Sequence, residues 1–418
     1  MRKVREHKGM VNNAFSLMAL QGMNYLLPLL TIPYLFRVLG AERYGLVAFG
    51  YAFTQYFIIL TDFGFNLSSV KFVSENRGDY EVVNRHVNSV ILARLGLSFF
   101  CLLVLLILTL SIPRFSEERI FFLGYMGMVV GNALFPLWYF QGMEKMQFIT
   151  VINVVAKGLS ILPFFFFVRS ASDYIQIPFY YSGGYMVAGL FSMYLVFWKM
   201  GQRFFWPGWT SIWEVLVGSS GYFLSRASLS LFTTSNAFIL GLGLGNVAVG
   251  YYTIAEKIYQ AYNALISPVN GVLFPYMAKN KDVAFFKRII KWVVGGNFLL
   301  VLASLLLSSI ILKFLFNTDN LESLQALRVL LLTCLITIPS ILMGYPFLAA
   351  MGHPRFTNFT VMVSAVFHVC GLTLLWVTGW VSVVSVSVMV LLTELLLFVN
   401  RWLGIRKYGL LRKEGTDA

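Results

Sequence analysis

Charge is scarce in this sequence: Asp, Glu, Lys and Arg make up 12% of its 418 residues, against roughly 25% in an ordinary soluble domain. Hydrophobic residues account for 58%, so the chain cannot furnish the polar surface that a soluble protein of this size needs. Cysteine is nearly absent as well. Cys101, Cys334 and Cys370 fall within apolar runs at unrelated spacings; this implies no disulfide framework or metal site and reads as three small core residues. No nucleotide-binding glycine loop, zinc spacing or nucleophile–base pair rises above chance, and no cofactor is implied. The apolar run after residues 1–8 is too long for a signal h-region and lacks a small-residue cleavage site, so it is expected to remain as a first span.

What the chain has instead is long apolar runs. Residues 102–110, 161–168, 298–307 and 381–392 each sit inside a stretch near or above the ~20 residues that cross ~30 Å of hydrocarbon. A transmembrane barrel would show short alternating segments, which leaves helices as the spanning element. The expected class is an all-α integral membrane protein. Charge clusters and Gly/Pro breaks divide the chain into twelve segments: 13–36, 45–70, 87–110, 120–141, 148–168, 177–198, 213–240, 247–276, 292–316, 328–350, 358–378 and 380–400. Basic residues in alternate loops number 21, Arg401 counted among them, against 7 on the other side, which puts both termini in the cytoplasm. The net charge of +14 is therefore spread over loops and forms no patch for nucleic acid. The outward loops are all short, which leaves no room for a soluble catalytic domain.

Two patterns recur at nearly one offset. Leu39-Gly40-x4-Gly45 returns as Leu244-Gly245-x4-Gly250, shifted by 205, and Pro136-x5-Gly142-x2-Lys145 returns as Pro346-x5-Gly352-x2-Arg355, shifted by 210. The expected plan is two parallel six-helix repeats, related by an axis along the membrane normal. The repeats are placed at 1–200 and 213–403, with a connector at 201–212 and a basic tail at 404–418. Trp198, Trp206, Trp209 and Trp213 suit either an interfacial connector or an ordinary loop with an aromatic belt.

Four cations, Arg94, Lys157, Arg226 and Lys257, and three acids, Asp62, Glu256 and Glu394, remain inside the segments. A central Arg, Lys or Asp costs ~2.5–3.5 kcal/mol on insertion scales, so each must face protein or water. Lys157 and Arg226 lie mid-span. Asp62 and Arg94 lie at similar depths in neighbouring spans and read first as a structural ion pair. Glu256 and Lys257 point about 100° apart on a helix and need not pair. Glu394 suits a neutral, protonated residue as well as a functional one. A surplus of cations fits an anionic substrate such as a diphosphate, whereas a cation exporter would show acids without surplus bases. Pro28, Pro33, Pro136, Pro268, Pro275 and the stretch 218–221 are expected to interrupt helices, as bending points or as static kinks.

Asn13-Ala14-Phe15-Ser16, Leu26-Leu27-Pro28-Leu29-Leu30-Thr31-Ile32-Pro33-Tyr34-Leu35, Arg37-Val38-Leu39-Gly40, Asp62-Phe63-Gly64-Phe65 and Trp138-Tyr139-Phe140-Gln141-Gly142-Met143-Glu144-Lys145 resemble the bacterial O-antigen and polysaccharide flippases. These belong to the multidrug/oligosaccharidyl-lipid/polysaccharide exporter superfamily. The resemblance spans the chain and is best in its first 160 residues. It implies two six-helix lobes around a central cavity, and transfer of an undecaprenyl-diphosphate-linked oligosaccharide from the cytoplasmic to the periplasmic leaflet of the inner membrane, with membrane lipids and polysaccharide polymerase machinery as partners. Lys157, Arg226, Lys257 and Arg94 would line a cationic cavity, and Asp62, Glu256 or Glu394 would couple transport to an ion gradient. The rivals are a small-molecule antiporter of the same superfamily and a membrane glycan polymerase; the first is disfavoured by the cation surplus, the second by the short loops.

Overall fold

The computed structural model describes residues 2–410, and the side chains of these except at 2–26, 28, 224–226 and 228–233. The motif at 13–16, Pro28 and Arg226 therefore lie outside the described side chains, and the end of the basic tail lies outside the described residues. Among the described residues the structure is helical, without strands. Its helices are α1 (Arg2–Asp62), α2 (Phe65–Glu75), α3 (Tyr80–Ser111), α4 (Pro113–Glu117), α5 (Arg119–Gly124), α6 (Met126–Ala133), α7 (Leu137–Gly142), α8 (Met146–Phe167) and α9 (Ile177–Tyr194). They continue with α10 (Trp209–Leu244), α11 (Asn246–Ala264), α12 (Ser267–Asn280), α13 (Val283–Leu306), α14 (Ser308–Phe316), α15 (Leu321–Met343), α16 (Pro354–Thr378) and α17 (Val383–Lys407). Each of the twelve expected segments falls on helix. Among the described residues eight stretches are long and apolar enough to cross a membrane, and Leu29–Glu75 among them holds the end of the first segment and the whole of the second. Tyrosine, serine and glycine in α9 and polar residues in α11 keep these two below that measure, and α10 adds the shorter apolar stretch Thr234–Leu244.

Two compact units divide at Ser230 and Leu231, inside α10. In the first unit, α9 packs on α6 and α8 through small residues. A Cβ at Gly189 would lie 2.5 Å from the Gly131 carbonyl oxygen, and one at Gly184 would lie 2.4 Å from that of Ala156. Lipid tails are as apolar as leucine, so such close backbone contact, not water exclusion, binds helices in a membrane. The Trp138-Tyr139-Phe140 motif is fully buried between α2, α3 and α8. Outside the spans, Asp173 accepts from the backbone N–H groups of Arg169 and Ser170, and from the Ser170 hydroxyl; these bonds hold its carboxyl below the usual range. In the second unit, α15 is the central rod, packed by α11, α13 and α17.

The repeat is visible in the backbone. Gly40 and Gly245 both hold positive φ with extended ψ (72°, 172° and 87°, −174°), a region open in practice only to glycine. The second pattern is present too, but in a different register. Lys145 N–H donates to Phe140 O and Glu144 N–H to Gln141 O; His353 N–H donates to Leu348 O and Gly352 N–H to Ala349 O. The turns thus align at an offset of 208, with Glu144 (φ 58°) over Gly352 (φ 100°), and not at the 210 of the Pro-to-Gly spacing. The helix breaks at Pro136 and just before Pro268, as expected, but α1 runs through Pro33, α12 contains Pro275 and α10 is continuous through Gly218 and Gly221. Glycine weakens a helix without removing a hydrogen-bond donor. Residues 200–208 are irregular and tied to α3: Asn84 Oδ1 accepts from Arg203 N–H, while the Asn88 amide meets Arg203 O and Phe205 N–H.

Candidate functional site

In the first unit the Asp62-Phe63-Gly64-Phe65 motif separates α1 from α2. Phe63 takes φ 41°, a conformation that costs a bulky residue about 1–3 kcal/mol, and its ring stacks on Phe223 at 4.6 Å. A Cβ at Gly64 would lie 2.6 Å from Phe223 N, so glycine is what lets α10 come this near. Asp62 is buried and accepts from the Asn66 amide. Arg94 is 1% exposed and donates to Phe135 O and Asn132 Oδ1, both at 3.0 Å. The Asp62 charge acts on Arg94 through space, but the direct bonds of the guanidinium go to the helix break before Pro136. Lys157 sits half-buried at the middle of α8.

Below the Phe63–Phe223 stack in the chain, Ser68 and Ser219 meet at 2.7 Å, and α2, α3 and α10 surround a cavity of about 630 Å³. Its walls carry Lys71, Phe72 and Glu75 from α2, Glu81, Arg85, His86 and Ser89 from α3, and Ser211, Glu214, Gly218 and Tyr222 from α10. The His86 ring is stacked on Phe72 at 4.0 Å and edged by Trp138 at 5.7 Å. Its Nε2 is buried with no hydrogen-bond partner.

In the second unit the helices enclose a buried polar network. Glu394, on α17, is 7% exposed. It lies within hydrogen-bonding reach of Thr337 and Tyr259, whose hydroxyls meet at 3.1 Å. Next to it, Thr393 reaches His368 Nδ1 at 2.9 Å, and His368 Nε2 reaches Asn236 at 2.9 Å. Asn236 in turn lies within reach of Tyr252 and Glu256, and the Tyr252 hydroxyl donates to Glu256 at 3.3 Å. The chain of side chains runs from Glu256 to Thr393; Glu394 follows Thr393 on α17 and keeps its own partners, Thr337 and Tyr259. Lys257 turns away from Glu256 and donates to Gln260 at 2.9 Å. Such a chain can take up a proton or a small cation, because carboxylate, imidazole and hydroxyl groups both give and accept hydrogen bonds as their charge changes.

Three features differ from the sequence reading. Arg401, counted with the loops, is 5% exposed: α17 continues to Lys407, and Arg401 donates to Ser340 O at 2.7 Å. Its spacing of seven from Glu394, two helical turns, was the available signal. Cys370 is exposed on the outer face of α16, while Cys101 and Cys334 are buried. His368 went unremarked, although an ionisable residue inside an apolar segment is itself a functional sign.

The profile of the family described as "Polysaccharide biosynthesis protein" matches residues 10–281. The chain is 30% identical, over 72% of its length and 74% of the relative's, to a protein of Escherichia coli (strain K12) named "Putative O-antigen transporter". It is 26% identical, over 93% and 98% of the two lengths, to a Shigella dysenteriae protein of the same name. Its fold is similar to that of a structure described as "Lipid II flippase MurJ, inward closed conformation", with a TM-score of 0.69, 12% identity, and coverage of 95% of this chain and 87% of the other.

Proposed function

The chain belongs to the polysaccharide biosynthesis protein family, and from that premise we propose that it is a flippase of the bacterial inner membrane. It carries undecaprenyl-diphosphate-linked O-antigen oligosaccharide units from the cytoplasmic to the periplasmic leaflet, by alternating access coupled to an ion gradient. One observation supports transport over a static scaffold: charged and hydrogen-bonding groups are set deep in hydrophobic helices. Each such group costs kilocalories to insert, ~2.5–3.5 kcal/mol for a central Lys or Asp. Arg94 and Arg401 serve the backbone, whereas Glu256 and Glu394 meet other side chains and, with the mid-span Lys157, suit a transport path. The substrate class rests on kinship with the named O-antigen transporters.

Within this reading Lys157 and Arg226, both in the first unit, meet the diphosphate, and Lys257 adds a cation in the second. Arg94, closed off in this conformation, serves the helix break at Pro136. The Glu256–Asn236–His368–Thr393 chain and the adjoining Glu394 take up the coupling ion; Asp62 is the candidate in the first unit. The test is complementation of a flippase-null strain, scored beside membrane abundance. Lys157→Ala and Arg226→Ala should each abolish export with the protein level held. Normal export by both variants would remove the cationic handling of the diphosphate.

A further inference from the structure

We infer that the cavity between α2, α3 and α10 is a recognition pocket for the sugar portion of the substrate, distinct in its chemistry from the groups that meet the diphosphate. This inference rests on the transport reading above. The volume of about 630 Å³ falls within the roughly 300–1,000 Å³ of small-molecule sites. The sign of its lining decides the ligand. Glu75, Glu81 and Glu214 outnumber Lys71 and Arg85, and Lys71 is already shared with Glu75 at 3.9 Å. A wall with surplus carboxylate repels a diphosphate and an anionic headgroup. It suits a ligand that is uncharged or amine-bearing and rich in hydroxyls.

A sugar ring has that character. Each hydroxyl both donates and accepts, so Glu81 and Glu214 can accept its hydrogen bonds while Arg85 donates to its oxygens. The carbon face of the ring is apolar, and the Tyr222 ring, 40% exposed on α10, is an aromatic surface it can cover. On α2 and α3 the stacked pair of Phe72 and His86, edged by Trp138, gives the cavity a second, fixed ring surface. These six side chains come from three helices: Gly64 and the Ser68–Ser219 pair join α2 to α10, and the Phe72–His86 stack joins α2 to α3. The pocket's shape therefore depends on the seating of α10 on α2.

The experiment uses the full-length protein in lipid nanodiscs and two probes: undecaprenyl diphosphate bearing the oligosaccharide extracted from the native strain, and undecaprenyl diphosphate without sugar. The wild type should bind the sugar-bearing lipid about tenfold more tightly, a margin of one or two hydrogen bonds. Glu81→Gln with Glu214→Gln should lose that margin and bind the bare lipid no more weakly than the wild type does. A second readout is independent of affinity: Gly218→Cys, in a Cys370→Ser background, should be alkylated by a maleimide more slowly with the sugar-bearing lipid and at an unchanged rate with the bare one. Retention of the margin by the double variant, or equal protection of Cys by both lipids, overturns the pocket while leaving the flippase reading intact. Binding of neither lipid by the wild type overturns the flippase reading and this inference together.

Discussion

Of two buried arginines, Arg94 illustrates how a membrane helix survives being broken, and Arg401 how two helices are tied together. Away from water, a carbonyl freed at a kink has no solvent to accept from, and each unsatisfied group costs several kilocalories. Arg94 gives its guanidinium to Phe135 O beside the Pro136 break, whereas Arg401 adds a bond to Ser340 O, which already accepts from Gly344 N–H at the end of α15. The sequence marked Arg94 as out of place but not whom it serves, since Asn132 and Phe135 lie some forty residues further along the chain. It hid Arg401 altogether, because a basic residue at the end of an apolar run looks like a loop. The prediction at this scale separates structure from transport. Arg94→Ala and Arg401→Ala should lose about 1.5–3 kcal/mol for each charged hydrogen bond, read as a lower unfolding midpoint and reduced membrane abundance. Lys157→Ala should show neither loss. Wild-type stability in Arg94→Ala with export gone would return Arg94 to the substrate path.

Helices were the most legible part, for the apolar runs leave few other structures possible in lipid. Their joints were less so. Gly40 and Gly245 were found as a spacing, and their importance lies in a backbone angle that spacing alone cannot reveal. At the second joint the Pro-to-Gly spacing gave an offset of 210, while the hydrogen bonds align at 208, so that Glu144 occupies the left-handed position that Gly352 holds in the other unit. Glu144 can bear that conformation because its carboxylate pairs with Arg77 at 2.8 Å. Nothing lies within 4 Å of a Cβ at Gly40 or Gly245, so crowding cannot be the reason for glycine there. Gly40→Ala and Gly245→Ala should each destabilise by about 1–3 kcal/mol through backbone strain alone. A thermal melt unchanged from wild type in both variants would mean that the joints relax into another conformation.

At the scale of the molecule, two repeats of six spans require that both begin on the same side of the membrane, since an even number of crossings returns the chain to its starting face. The basic residues agree with this arithmetic: the N-terminal cluster at 2–8, the connector around Arg203 and the cluster at 279–291 all belong to the richer set. Lys71 stands in the C-terminal half of α2, and Glu81, Arg85 and Glu214 near the N-terminal ends of α3 and α10; on the positive-inside assignment the proposed sugar pocket would open to the face where lipid-linked units are collected. Topology and recognition thus stand on one assignment and can be tested by one series of fusions. Reporters after Arg119 and Arg169 should read periplasmic, and one after Lys281 cytoplasmic. A maleimide that cannot cross the membrane should fail to reach Gly218→Cys in intact cells and reach it in inverted vesicles. A periplasmic reading at Lys281 would invert the chain, place the pocket on the exit side, and turn the same side chains from a device that selects the glycan into one that releases it.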